Sequence, residues 1–310
     1  MGGHGHAHGH GHGHGGEGRA LGTAFWLNFG FTLIELVGGV AFNSVAILSD
    51  AVHDLGDTLS IGLGWWLGRV SEKQANASYT YGFKRLSVLA AVINAMVLIA
   101  GSAFVVSEAV PRLFAPEMPN VPGMLGLAVL GVLVNGAGVL RLGRQTSLNS
   151  TMIRWHLLED TLGWVAVLLV SLVLMIWPVP ILDPILSIAF TSFIVFNVVR
   201  NLWAATKVFL QAAPAGVDIE RLVGRLRALD AVRDVHHVHV WSLDGEQHVF
   251  SAHIELADER PVSHLRVLKG ELQDAVGAFG FSYSTIEFEW PDERCRDASR
   301  APADVRADST

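Results

Sequence analysis

Thiols are nearly absent from this chain of 310 residues, whose one cysteine is Cys295. That excludes an intrachain disulfide and any metal site built mainly on sulfur. Charge is scarce as well: 16% of the residues are Asp, Glu, Lys or Arg, against 51% hydrophobic, and the mean hydropathy is positive. A single soluble domain seldom carries so little charge, whereas a multi-span membrane protein with a modest soluble part does. The formal net charge of −7 says little, because the charges gather at the two ends and in a few loops. The N-terminus lacks the basic-then-apolar order of a cleavable signal peptide, so none is expected.

Histidine is abundant instead, with 14 in all and His4, His6, His8, His10, His12 and His14 alternating with glycine near the start. Residues 1–19 hold nothing that can build a core, so they are expected to be disordered. Two readings of this tract stand side by side: a loose metal collector near a site entrance, or a dispensable tail.

Six hydrophobic segments of about 20 residues follow, the length a bilayer requires. They are expected near 21–42, 45–68, 86–110, 121–141, 155–177 and 181–204, within a membrane domain spanning 20–208. Arg69, Lys73, Lys84 and Arg85 lie between the second and third segments, and Arg141, Arg144 and Arg154 between the fourth and fifth. The other connections hold only Arg112. By the positive-inside rule the two basic loops are cytoplasmic, and an even number of spans puts both termini there too.

The second segment is the anomaly. Asp50, His53, Asp54 and Asp57 follow i, i+3, i+4, i+7 spacing and share one helix face. An ionisable group at membrane depth costs about 2.5–3.5 kcal/mol unless it is paired, binds an ion or faces water. A hundred residues later His156 and Asp160 repeat the His-x-x-x-Asp spacing. Two imidazoles and two carboxylates make a four-ligand set suited to a tetrahedral divalent metal. Their charge of −2 is cancelled by the ion, which matters in a low-dielectric interior. An emptied site leaves two carboxylates crowded together, so protons replace the metal, and histidine must be unprotonated to bind. Metal-for-proton exchange follows as chemistry.

Other polar residues have plainer readings. Asn28 and Glu35 share a face of the first segment beside Gly38 and Gly39. They are either one shielded polar pair at a close helix contact or, for Glu35, part of an ion or proton path. Asp50, Asp54 and Glu159 are placed beside the site or along that path. Asn94, Glu108 and Asn135 are expected to bond between helices, and Asp183 to cap the sixth helix.

After Pro214-Ala215-Gly216, residues 214–291 read as a soluble domain. Ile219, Leu222, Val223, Leu226 and Leu229 form a helical stripe, and Leu265, Leu268, Leu272 and Val276 a second. Residues 234–241, 248–256 and 282–290 read as strands. The order α-β-β-α-β predicts a small two-layer α/β sandwich. Residues 292–310 are expected to be disordered, with Cys295 a reduced thiol of no role.

Several separate pieces now resemble one family, the cation diffusion facilitators, and within it the zinc-transporting bacterial efflux branch. These are Ser49-Asp50-Ala51 leading into His53-x-x-x-Asp57, and Ser147-Leu148-Asn149 followed by His156-x-x-x-Asp160. Tyr81-Gly82 with Arg85, Glu108-Ala109-x-x-Arg112-Leu113, Asp183-Pro184-Ile185 and His236-x-x-His239-x-Trp241 agree as well. The resemblance covers about residues 20–291. It implies a six-transmembrane-helix bundle with a C-terminal cytosolic α/β domain of copper-chaperone-like, ferredoxin-like fold. It also implies a homodimer in the bacterial inner membrane, alternating access, and export of Zn2+ first, then Co2+ and Cd2+, driven by inward protons. His53, Asp57, His156 and Asp160 are the transport ligands by this carry-over. Sites in the family's cytosolic domain match His236, His253 and Glu287, which are either a second zinc site or ordinary polar residues on a sheet. The second-to-third loop offers only Glu72, so no metal site is expected there. Ser87 stands where relatives carry a glutamate, and Asp54 is an extra carboxylate beside the site. No organic cofactor and no nucleic-acid partner is expected.

An enzyme is not expected either. An intramembrane metalloprotease needs a second histidine and an open coordination position, and His156-Leu157-Leu158-Glu159-Asp160 has no second His. A membrane-bound metal sensor or buffer that does not transport remains the alternative. Two imidazoles and two carboxylates suit zinc, cobalt and cadmium better than manganese or magnesium. Replacing His53 by Asp is therefore expected to weaken zinc-over-cadmium discrimination and admit harder ions. Flux of a metal panel checks this, and unchanged selectivity counts against His53 as a ligand.

Overall fold

The computed structural model describes residues 14–71, 75–142, 148–295 and 297, with the side chains of 14–21, 23, 24, 64, 65, 68, 69, 71, 141, 142 and 148–156 outside that description. His4 to His12, Glu72 and most of 292–310 lie outside the described residues. Two compact units are formed, one from residues 1–74 and 89–202 and the other from 75–88 and 203–310.

The first unit contains α1 (His14–Ala41), α2 (Val45–Ser71), α3 (Leu86–Phe114), α4 (Val121–Leu142), α5 (Leu148–Ile176) and most of α6 (Leu182–Phe209). Residues 14–19, expected in the tail, already belong to α1, and α5 begins seven residues before its expected start. Hydropathy marks where a chain is apolar, while backbone hydrogen bonding carries a helix past that boundary. Leu86–Phe114, Val121–Leu140, Leu157–Ile176 and Leu182–Phe209 are long and apolar enough to cross a membrane, and Phe25–Ala41 is a shorter apolar stretch. In α2 the ionisable face interrupts the apolar run.

Outward-facing Trp26, Leu133, Phe196 and Trp203 leave the bundle's surface apolar, as lipid contact demands. Inside, Ile47, Met124, Ala128, Trp164 and Val167 join α2, α4 and α5 in one cluster, with Phe31 of α1 edge-on to Trp164 at 5.8 Å. Val52, Val105 and Ile188 connect α2 to α3 and α6. Gly131 on α4 lies against the indole of Trp164, where a methyl group would overlap the ring.

The start of α2 is tied to two other helices. Ser44 Oγ accepts from the Ile47 amide, a normal N-cap bond. Asp183 was expected to cap its own helix. Its carboxylate instead accepts from the Ser44 hydroxyl, from Val45 N at 2.7 Å and from Ala46 N at 3.4 Å. The free amides of an α2 terminus are stronger donors to a buried carboxylate than a local turn. Arg112 donates to Asn43 O at 2.9 Å and to Asn43 Oδ1 at 2.7 Å. Asn43 adopts φ 52°, a left-handed conformation asparagine tolerates.

Of the expected interhelical bonds, Asn94 donates to Ser60 of α2 at 2.8 Å. Glu108 instead approaches Arg112 on its own helix, at 4.0 Å. Asn28 does not pair with Glu35. It donates to Thr58 Oγ1 at 3.0 Å and to the Asp54 carbonyl at 3.4 Å, both on α2.

The second unit contains α7 (Ile219–Arg227), β1 (Val232–Ser242), β2 (His248–Leu256), α8 (Val262–Gly277) and β3 (Phe281–Glu289). The sheet order is β1-β2-β3, with β1 antiparallel and β3 parallel to β2. Leu222, Leu226, Leu268 and Leu272 of the helices pack on Val235, Phe250, Ala252 and Ile254 of the sheet, giving the expected two layers. Tyr81 of the 75–88 segment meets Tyr283 of β3 edge-on at 5.3 Å.

Two substitutions test these contacts by thermal unfolding of the detergent-purified protein. Asp183→Ala is expected to cost about 0.5–2 kcal/mol, and Asp183→Asn, which keeps an acceptor, less. Gly131→Ala overpacks the Trp164 contact and is expected to cost about 1–3 kcal/mol.

Candidate metal centres

The first centre is formed where α2 meets α5. His53 and Asp57 are one turn apart on α2, and Asp160 reaches them from α5. His53 Nε2 lies 3.6 Å from Asp57 Oδ2 and 3.8 Å from Asp160 Oδ1. One donor atom from each of the three falls within 4.8 Å of the others. Donors around a tetrahedral zinc with bonds of about 2.0–2.1 Å stand roughly 3.3–3.5 Å apart, so the set needs little adjustment to hold an ion. The residues are half-buried to buried, at 26%, 26% and 9% side-chain exposure. The expected fourth ligand, His156, is on α5 one turn before Asp160, and its side chain lies outside the described residues.

The accessory acids divide. Glu35 is fully buried on α1, close enough to interact with Asp54, Asp50 and Asp160. Asp50 and Asp54 are also buried. A Cβ on Gly163 would stand 3.4 Å from Asp50 Oδ1, so Asp50 lies against α5 at Gly163. Glu159 is exposed and takes no part in the cluster.

The second centre is on the face of the sheet opposite α7 and α8. Register places His253 of β2 beside His236 on one side and Glu287 on the other. A bulge between His236 and His239, with His237 at φ 47°, interrupts the ladder there. Bulges re-aim side chains, and His236, His237 and His253 gather with ring centroids 5.0–5.7 Å apart.

The carboxylate that joins them is Glu289, not the expected Glu287. His253 Nδ1 is 2.7 Å from Glu289 Oε1, and His236 Nε2 is 2.9 Å from Glu289 Oε2. Glu287 stays 3.7 Å from His253 Nε2. On a sheet face, a residue two positions along the neighbouring strand is within reach of a long side chain, so pairing alone does not choose between Glu287 and Glu289. Cys295, expected to be solitary, lies 3.5 Å from His253 Nδ1. His236, His253, Glu289 and Cys295 offer four donor atoms within 4.8 Å of one another. Burial pushes the Cys295 thiol up, and its hydrogen bond to Glu289 adds to the shift. Burial pushes Glu289 up as well, but hydrogen bonds from Cys295 and His253 and the charge of His236 outweigh it and hold the carboxyl below its ordinary value.

Residues 21–210 match the model of the cation efflux transmembrane domain, and residues 214–289 that of the cation efflux protein cytoplasmic domain. The chain is 32% identical over 276 residues to the zinc transporter ZitB of Escherichia coli, covering 88% of this chain and 87% of that protein. It is 28% identical over 274 residues to the cadmium, cobalt and zinc/H(+)-K(+) antiporter of Bacillus subtilis, covering 86% and 87%. It is 28% identical over 276 residues to the metal cation efflux system protein CzcD of Cupriavidus metallidurans, covering 88% and 87%.

Proposed function

Because this chain belongs to the cation efflux, or cation diffusion facilitator, family, we propose that it exports Zn2+ in exchange for protons by alternating access. The coarser part is settled by membership: it is a multi-pass membrane protein of a metal-efflux family and not an enzyme. The observation that carries the finer reading is the convergence of His53, Asp57 and Asp160 from two helices. His156 completes the set, and Co2+ and Cd2+ are secondary cargo.

The steps follow from charge. Neutral His53 and His156 with ionised Asp57 and Asp160 sum to −2, so a bound divalent ion leaves the centre neutral and able to change its exposure across the bilayer. Releasing the ion outside uncovers two carboxylates at close range, which repel and take up protons. The protonated site is again near neutral and can return. Glu35, Asp50 and Asp54 form the route by which protons and ions reach it. The protein resides in the bacterial inner membrane with both termini in the cytoplasm, and it works as a homodimer. The glycine-histidine tail collects metal near the cytoplasmic entrance.

A pH gradient across sealed proteoliposomes, with zinc on one side, tests this directly. Wild type is expected to move zinc, cobalt and cadmium but not magnesium, and Asp57→Ala to abolish all three. Zinc binding that persists without flux under the gradient would sink the exchanger reading and leave a sensor or buffer.

A further inference from the structure

Ala46 and Ser60 are each seven residues from His53, so the three share one face of α2. Ala46 is roughly 10 Å to one side of His53 along the helix and Ser60 roughly 10 Å to the other. Their surroundings differ. Ala46 is fully buried, as are Val45, Ile47 and Ser49, whereas Asp57 is half-buried and Ser60 exposed. In the proposed topology α2 starts at the extracytoplasmic side. The face that carries His53 is therefore covered outside the centre and uncovered towards the cytoplasm.

The cover is held by polar bonds as well as packing. Ala46 belongs to the cluster around Trp164, with Val121 and Met124 from the start of α4 and Leu174 from the end of α5. Asp183, Ser187 and Thr191 succeed one another every four residues, one row along α6. Asp183 accepts from the first amides of α2, Ser49 Oγ donates to Ser187 O at 3.4 Å, and the Ser49 and Thr191 hydroxyls are 2.9 Å apart. The turn before α2 is clasped in addition. Asn120 N donates to Phe42 O at 2.7 Å, Asn43 Nδ2 to Glu117 Oε2 at 3.0 Å, and Arg112 to both oxygens of Asn43. On the cytoplasmic side α2 bonds instead to α1 through Thr58 and to α3 through Ser60.

We infer that the α6 row of Asp183, Ser187 and Thr191, together with the clasp of Arg112 on Asn43, is the outer gate of the α2–α5 centre. The gate is closed in this structure, and its release opens the centre outward. This rests on the reading of the chain as an alternating-access carrier. Hydrogen bonds suit the task, because each contributes little net stability once exchange with water is counted. The row and the clasp lie at the outer end of the bundle, where water takes over the freed groups, so α2 and α6 part there without either helix unfolding.

Cys295 is the only cysteine in the chain, so in a Cys295→Ser background a thiol introduced by Ala46→Cys or Ser60→Cys stands alone. Each full-length variant is labelled in sealed membrane vesicles of either orientation with a membrane-impermeant maleimide. Ser60→Cys is expected to react from the cytoplasmic side and Ala46→Cys from neither side. Adding Ser49→Ala and Arg112→Gln releases the gate. That is expected to speed labelling of Ala46→Cys from the outside by roughly tenfold, given the bonds removed, and to slow labelling of Ser60→Cys. Opposite changes at the two thiols separate a gate from a merely structural role, because general loosening speeds both. If the doubly released variant does not reach the membrane, Ser49→Ala alone carries the same test. Labelling of Ala46→Cys from the outside with the gate intact overturns the inference, as do rates that move together or stay unchanged on release. Reciprocal labelling without zinc flux under a pH gradient leaves the gate standing and counts only against the exchanger.

Discussion

A charge inside a bilayer has to be cancelled, and most of the membrane domain is arranged around that requirement. Asp50, His53, Asp54 and Asp57 interrupt the apolar run of α2, at a cost of about 2.5–3.5 kcal/mol for each uncompensated charge at the bilayer centre. One helix cannot surround a tetrahedral ion. Asp160 of α5 adds a further donor to His53 and Asp57, a set that could hold a cation. The same constraint explains the hydroxyls and amides beside the site. Thr58, Asn28 and Thr32 bond to one another across α1 and α2, leaving those polar atoms satisfied where water is excluded.

Holding α2 in place is accordingly a separate task from providing ligands. Its first amides are taken by Asp183 of α6, and its preceding turn by Arg112 of α3. Its flank packs through Ile47 into the cluster around Trp164. A shift of α2 along its axis would move His53 and Asp57 together relative to Asp160. The cap and the cluster oppose such a shift.

The C-terminal domain solves a similar ledger of donors with different means. Its sheet supplies rigid positions, a bulge re-aims His236, and a turn after β3 brings in sulfur. The two clusters differ in how their donors are held. The α2–α5 cluster draws its donors from two separate helices. The other draws them from neighbouring strands and a short following turn within one small domain.

The six long helices, four of them apolar enough to cross a membrane, the α-β-β-α-β order and the two His-x-x-x-Asp pairs were legible from residue order, because each rests on periodicity or hydropathy along the chain. Helix ends were not, since hydrogen bonding extends α1 and α5 beyond their apolar stretches. The choice of Glu289 over Glu287 was equally hidden, because both lie on the same face of one strand and only the twist and side-chain reach separate them. Asp183 could be assigned to a helix start by its type, but which helix it caps depends on how α6 packs on α2. Cys295 looked idle because nothing in a polar tail foretells a turn that folds it back onto His253. Sequence by itself determined which residues can ligate and how they are spaced along each element. Only the tertiary structure decided which of them share a single point in space, because convergence depends on packing between elements and not on order within them.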